Sequence, residues 1–341
     1  MSDMAAIGVV AIGRNEGDRL RACLRALPPG CPAVYVDSGS TDDSVAFARS
    51  LGVKVVELDM SLPFTAARAR NAGLEALVAG GAAPAFVQMI DGDCTLDPGW
   101  IPAALAALKA DPGLAVVFGR RRERFPGKSI YNRMCDHEWD VPIGPALACG
   151  GDALFRLEPL KRAGGYDPTL IAGEEPDLCA RLRAAGHRIC RIDAEMTLHD
   201  AAMTRFGQYW RRAKRSGHAY AELAWRGRGA PDPLWRRQVR SILAWALALP
   251  LLILAALIVG LTATPAGFAV TALLLLVYPL QVARIAARNR KALGLRFALA
   301  NAALLMVGKF AELQGVLLYH WRRLSGRTAR IIEYKGAGAA S

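Results

Sequence analysis

Ala85-Phe-Val-Gln-Met-Ile-Asp-Gly-Asp-Cys-Thr95 decides the fold class of this chain. Ala85–Ile90 is a short apolar run that reads as a buried strand, and two carboxylates follow it at once. Alternation along an extended segment aims Asp91 and Asp93 the same way. Working outward, the same design recurs. Ala6–Ile12, Ala33–Val36 and Val53–Leu58 read as strands before this run, and Leu114–Phe118 reads as one after it. Between them, Asp18–Leu27, Ser40–Leu51, Thr65–Ala79 and Pro98–Lys109 read as helices. In the first of these, Leu20, Cys23, Leu24 and Leu27 fall on one face. Ser40 is the expected N-cap of the second, with Asp42 and Asp43 in its first turn. Such alternation predicts an α/β domain whose mostly parallel sheet is covered on both faces. Ligands on such sheets bind beyond the carboxyl ends of the strands, so the residues just after each strand are the candidate site.

The chain has 341 residues, 53% hydrophobic composition and a formal net charge of +13. The location of that charge matters more than its size. Met1–Thr204 carries 22 basic and 26 acidic residues, whereas Arg205–Arg240 carries 10 basic and 2 acidic ones. Arg284–Arg296 and Arg322–Lys335 are also basic. A nucleic-acid reader would carry the charge on its folded domain, so no nucleic-acid partner is expected. Ser241–Leu261 and Thr264–Ala283 contain no charged residue, and each is long enough to cross the hydrocarbon of a bilayer. Basic flanks mark the cytoplasmic side. The expected organisation is a domain over residues 1–204, a basic juxtamembrane segment over 205–240, a transmembrane hairpin over 241–283, and a basic loop, further helix and tail over 284–341. The further helix, Phe297–Tyr319, is interrupted by Lys309, Glu312 and Gln314. It is expected to lie as an amphipathic helix at the interface, with a third span as the alternative. The location implied is the cell inner membrane, multi-pass, with the first domain cytoplasmic. Seven cysteines without a C-x-x-C spacing argue against a disulfide framework or a zinc site. No cleavable leader is evident.

Several residues could carry chemistry. Asp37 ends the second strand in Val-Asp-Ser-Gly-Ser-Thr-Asp, where it could accept from a base imide or a ribose hydroxyl, or simply organise a turn. Asp91 and Asp93 offer hard oxygen ligands suited to Mg²⁺ or Mn²⁺, which bridge diphosphates well. Arg68 and Asn71 share one helix face. In Gly173-Glu-Glu-Pro-Asp-Leu, Pro176 fits a first helical turn, and Glu174 or Glu175 could take a proton from a hydroxyl or merely offset the helix dipole. His199 is a possible third metal ligand.

In this order, the motifs resemble glycosyltransferase family 2 and its GT-A fold, over roughly Ile7 to Asp200. Val10-Ala-Ile-Gly-Arg-Asn-Glu resembles the family's opening strand and turn, implicating Asn15 and Glu16 in nucleotide binding. Val36-Asp-Ser-Gly-Ser-Thr-Asp is similar to its nucleotide-binding turn, with Ser38 in place of a second acid. Ala67-Arg-Ala-Arg-Asn-Ala-Gly resembles the helix whose first arginine, Arg68, faces the nucleotide. Asp91-Gly-Asp93 resembles the metal motif. Cys149-Gly-Gly-Asp resembles a segment near the acceptor, implicating Gly150, Gly151 and Asp152. Gly173-Glu-Glu-Pro-Asp places Glu175 at the general-base position, with Glu174 in support. Gln208-Tyr-Trp-Arg-Arg departs from the Gln-x-x-Arg-Trp motif of processive synthases. The resemblance implies an inverting transfer from a nucleoside-diphosphate sugar, chiefly a UDP-sugar, to a lipid-linked or envelope-glycan acceptor.

Two other classes compete. A degenerate, membrane-tethered binding or scaffold protein would lack a metal or base position, and both are filled here. A nucleotidyl transferase would want a Gly-rich basic loop after the first strand, and Gly13-Arg-Asn-Glu-Gly is short and acidic.

Overall fold

A computed structural model describes residues 6–79, 83–229 and 235–326. The basic stretch after Gly326 and the Gly/Ala tail lie outside them. The chain divides into two compact units, one ending at Thr204 and the other beginning at Arg205.

The first unit alternates strands and helices. Its elements are β1 (Ile7–Gly13), α1 (Asp18–Arg25), β2 (Ala33–Asp37), α2 (Ser44–Ser50), β3 (Lys54–Glu57), α3 (Ala66–Val78), β4 (Phe86–Asp91), β5 (Cys94–Leu96), α4 (Trp100–Ala110), β6 (Leu114–Glu123), α5 (Ile130–Glu138), β7 (Gly144–Ala146), β8 (Ala153–Arg156), α6 (Leu157–Arg162), α7 (Glu174–Ala184) and β9 (Arg188–His199). The sheet order is β3-β2-β1-β4-β8-β6-β9-β5, with β7 pairing β9. β3, β2, β1 and β4 are all parallel. β8 then runs antiparallel between β4 and β6, and β6 and β9 are parallel again.

β1 and β4 are buried along nearly their whole length, which is why they read as continuous apolar runs rather than alternating ones. β1 lies between β2 and β4, so the chain crosses from the β3 edge back over β1 to form β4. That crossing is the topological switch point where open α/β sheets bind ligands. Asp37 pairs with Gly13, and Asp91 pairs with Ile12. Both acids therefore stand at the carboxyl end of the same crevice.

Two local expectations are corrected. α2 begins at Ser44, not Ser40, and its N-cap is Asp43. The Ser40 hydroxyl instead accepts the Asn15 N–H at 2.9 Å, which ties the β1 turn to the β2 turn. β6 is also longer than its apolar part, because it continues as Gly119-Arg-Arg-Arg-Glu123 with register shifts against β9 around Arg120. Such irregularities re-aim side chains and are common beside active sites.

The second unit is helical. It comprises α8 (Phe206–Arg226), α9 (Arg236–Leu243) running through a π-type turn into α10 (Leu249–Thr262), α11 (Ala266–Leu293) and α12 (Leu295–Leu324). Three helices are long and apolar enough to cross a membrane, namely Arg236–Thr262, Ala266–Leu293 and Leu295–Leu324. The first two contain the charge-free runs seen in the sequence, and the third contains the Phe297–Tyr319 segment.

α3 docks on the sheet through Gly73, where a Cβ would collide with Val10 and Val36. Gly73→Ala should therefore lower the thermal midpoint of the detergent-purified protein, with an overpacking cost of about 1–3 kcal/mol. Gly52→Ala, at a position with open space around it, should act only through its left-handed backbone, and a smaller loss is expected. Equal losses would mean that the α3–sheet contact is not tight.

Candidate active site

Arg70 lies at the centre of the site. It falls on the buried stripe of α3 with Ala67, Gly73, Leu74 and Leu77, and its side chain is only 3% exposed. One terminal nitrogen donates to Asp91 Oδ1 at 2.8 Å, and the other donates to Glu174 Oε1 at 2.8 Å and lies 3.4 Å from Glu175 Oε1. Burial works against the guanidinium charge, but Asp91, Glu175 and Glu174 together hold its pKa well above the ordinary arginine value.

A second guanidinium, Arg121 from β6, faces Asp91 from the other side. It donates to Asp91 Oδ2 at 3.4 Å and forms an ion pair with Asp152 Oδ2 at 2.7 Å. Asp152 is fully enclosed and acts as a bracket. It also accepts from the Asp91 N–H at 3.0 Å and from the Thr197 hydroxyl at 2.9 Å. Gly151 fits because nothing larger would: a Cβ would stand 2.7 Å from Asp91 Oδ2 and 2.9 Å from an Arg70 nitrogen. Gly150 beside it is exposed and has a positive φ of 81°.

Glu174 and Glu175 open α7 behind Gly173, whose φ of 86° suits glycine. Desolvation and the neighbouring Glu174 raise the Glu175 carboxyl to about 7, against the pull of Arg70. A carboxylate tuned there can take up a proton near neutral pH.

Asp93 and His199 form a third group. Their side chains are about 5% exposed, with Nε2 3.3 Å from Asp93 Oδ2 and Nδ1 4.0 Å from Glu123 Oε2. Burial, with Arg121 second, pushes the imidazole down to about 4, so it is neutral at physiological pH. A neutral ring nitrogen beside a carboxylate, with the other nitrogen buried and lacking a hydrogen-bond partner, is a donor set that fits a divalent cation. The Trp139 ring stands edge-on to His199 at 4.6 Å. Ligand atoms of Asp93, Cys94 and His199 lie within 4.8 Å of one another, as do those of Asp91, Cys94 and Asp152. Burial keeps the Cys94 thiol protonated, so it is a poor ligand.

The remaining expected residues lie elsewhere or do other work. Asp37 is buried, and its carboxylate accepts from the N–H groups of Gly39 and Ser40 and from the Tyr35 hydroxyl. It therefore builds the turn whatever else it binds. Asn15 has a φ of 53° and accepts from the Thr41 N–H at 2.7 Å. Glu16 pairs with Arg19 at 2.9 Å. Arg68 does not join the Arg70 cluster: its guanidinium donates to the carbonyls of Asp59, Leu62 and Pro63. Asn71 is a staple, bonded to both the carbonyl and the N–H of Tyr166.

The model of glycosyl transferase family 2 matches residues 9–156. An uncharacterised glycosyltransferase of Mycobacterium tuberculosis is 30% identical over 200 residues, covering 55% of this chain and 84% of the relative. The chain belongs to glycosyl transferase family 2. A pre-mycofactocin glycosyltransferase of the same organism is 27% identical over 210 residues, 57% of this chain and 42% of that protein. Among solved structures, a mannosyltransferase from Pyrobaculum calidifontis in complex with GDP-Man and Mn²⁺ shares the fold, with a TM-score of 0.64 at 17% identity, covering 93% of this chain and 88% of the other.

Sequence reading of this glycosyltransferase missed Arg70, Arg121 and Glu123. Arg70 left a signal, because it is a lone charge on the apolar stripe of α3. Arg121 was hidden in a run of three arginines, and Glu123 had no signal.

Asp152→Ala would strip Arg121 of its buried partner and leave the Asp91 N–H and the Thr197 hydroxyl without an acceptor. Breaking one side of a buried pair costs about 3–5 kcal/mol. A clear drop in thermal midpoint is expected for Asp152→Ala and a smaller one for Asp152→Asn. Wild-type melting of both would show that the bracket is not structural.

Proposed function

We propose that this glycosyltransferase inverts configuration as it moves a sugar from a nucleoside-diphosphate sugar, foremost a UDP-sugar, to a lipid-linked or envelope-glycan hydroxyl. Glu175 acts as general base. The observation that carries this reading is the Glu175 carboxyl itself, raised to about 7 beside the Arg70–Asp91 cluster.

The acceptor hydroxyl gives its proton to Glu175 as its oxygen attacks the anomeric carbon. The bond from that carbon to the diphosphate breaks, the nucleoside diphosphate leaves, and configuration inverts in one displacement. Glu174, held by Arg70, keeps the start of α7 in place. Asn15, Glu16, Asp37 and Asp91 serve the nucleotide from the ends of β1, β2 and β4. Arg68 and Asn71 serve it by fixing the loops they bond to. Gly150 and Gly151 leave room on the acceptor side, with Asp152 bracing them from within.

Asp93, His199 and Asp91 would hold Mg²⁺ or Mn²⁺. When bound, such a cation offsets charge on the departing diphosphate. The GDP-Man and Mn²⁺ in the Pyrobaculum mannosyltransferase support these ligand classes. The basic flanks of the apolar helices support a cytoplasmic catalytic unit at the cell inner membrane.

Purified protein in detergent should be screened against a panel of nucleotide sugars, scoring nucleotide release and thermal stabilisation. With the donor found, single-turnover transfer should rise through pH about 7 as Glu175 loses its proton. It should level off above. Glu175→Gln should abolish that dependence and slow transfer by roughly 10²–10⁴, with donor affinity near normal. A Glu175→Gln enzyme at the wild-type rate would remove Glu175 as base.

The cation is tested separately. Asp93→Asn and His199→Ala should each weaken Mn²⁺ binding by at least the roughly 10–100-fold typical of disturbing a metal site's surroundings. Binding can be read by Mn²⁺ electron paramagnetic resonance. Undiminished binding in both would place the cation elsewhere.

A further inference from the structure

By length and composition α12 could cross a membrane, but its setting differs from that of the other two helices. In its most apolar stretch 39% of residues are buried, against 11% for each of the others. The partner that buries much of it is α8. The two helices run side by side in the same direction. The Tyr209 hydroxyl donates to the Leu304 carbonyl at 2.5 Å, and Trp210 Nε1 donates to Gln314 at 3.1 Å. Further along, the His218 and Tyr319 rings meet at 5.4 Å, and the Arg323 guanidinium lies 3.9 Å from the Trp225 ring. Glycines set the closeness of the pair: a Cβ on Gly217 would collide with the Glu312 carbonyl, and one on Gly315 with that of Lys214. The pairing therefore holds from Leu304 to Arg323, a length of about 30 Å at the rise of an α-helix.

α8 has no business in hydrocarbon. Its 21 residues include Arg211, Arg212, Lys214, Arg215, Glu222 and Arg226. Such groups are rare within a bilayer and costly there, and Arg211 is exposed. If α12 spanned, α8 would be drawn in along the same 30 Å. α12 also carries Lys309 and Glu312 near its middle, paired at 2.7 Å. Its free side, however, is apolar. Leu299 is 42% exposed, Phe310 37% and Trp321 51%. These three are spaced eleven residues apart, close to three whole turns, so they share one face.

We propose that α12 does not cross the membrane. It lies in the plane of the interface with the Leu299–Phe310–Trp321 face in the boundary between headgroups and acyl chains. α8 is fastened along it, and the basic residues of α8 meet anionic headgroups. An apolar face beside a basic one is the composition of helices that rest on anionic bilayers. The described residues then hold two spans, and both ends of α12 are on the same side.

The test uses the full chain in sealed membrane vesicles. Cys31 and Cys190, the two cysteines that are not buried, are replaced by serine. Single cysteines are then placed at Arg296 and Ser325, exposed residues near the two ends of α12. A membrane-impermeant maleimide should label both positions or neither before the vesicles are permeabilised. Labelling of one alone would overturn the proposal. Depth gives an independent reading. Spin labels at Leu299, Phe310 and Trp321, in nanodiscs of phosphatidylcholine with phosphatidylglycerol, should report one shared shallow depth. A deep Phe310 label between two shallow ends would mean a span and sink the idea. In phosphatidylcholine alone all three should move outward, and unchanged depth would overturn the role given to anionic lipid.

Discussion

A guanidinium among three carboxylates, with almost no water, holds its charge only if those acceptors stay where its N–H groups point. Arg70 imposes that condition on three parts of the chain at once. Asp91 closes β4, while Glu174 and Glu175 open α7, more than eighty residues later in sequence. Arg70 on α3 bridges them. Its position depends in turn on how α3 meets the sheet, which Gly73 permits and the Asn71 staple to Tyr166 reinforces. The helix that carries the clamp is therefore fixed within one turn of it, at Asn71 and Gly73. A buried ion pair of this kind is weak evidence for stability, because desolvation offsets much of its attraction. It is better evidence for position: moving any one partner strands the others.

The same cluster carries a surplus of negative charge. Among the described residues, Asp91, Asp152, Glu174 and Glu175 stand around the guanidiniums of Arg70 and Arg121, and Asp93 lies beside His199. His199 is neutral and cannot help. Low-dielectric surroundings make such a surplus costly unless a proton or a cation offsets it. Both remedies have a natural place here. A proton suits Glu175, whose carboxyl is raised by burial and by Glu174. A divalent cation suits the Asp93–His199 side. Under the proposed function, acid–base and metal roles on one site would both answer a single electrostatic imbalance.

Much of this was legible in the sequence because burial writes itself as apolar runs. β1 and β4 are covered on both faces and gave apolar segments, broken in β4 only by the buried Gln88, so the switch point and Asp91 could be located without a structure. What stayed hidden was of two kinds. The later strands β7 and β8 are short and pair antiparallel in the sheet, so neither length nor alternation marked them. And the roles of polar residues depend on which way a helix or strand turns. Arg68 and Arg70 are two positions apart on α3, hence on different faces, and the packing sends Arg70 inward while Arg68 caps a loop. Ser40 looked like a helix cap, but its hydroxyl is taken by Asn15 across the neighbouring turn, a pairing that only the parallel register of β1 and β2 creates.

The Glu174–Glu175 pair shows how packing can separate two residues that sequence leaves nearly equivalent. Both begin α7 and both face Arg70. Glu174 is the more enclosed, at 5% side-chain exposure, and bonds the guanidinium at 2.8 Å. A carboxylate held at that distance on a buried guanidinium is fixed in place, which makes it a good strut. Glu175 is 15% exposed and stands farther from the same nitrogen, at 3.4 Å. It has more access to an incoming hydroxyl and a weaker hold on the arginine, and the charge on Glu174 adds to its proton affinity. One acid of the pair therefore raises the basicity of the other while fixing the helix that carries both. Under the proposed mechanism the doubled glutamate is a division of roles, and swapping them would require α7 to rotate about its axis against Arg70.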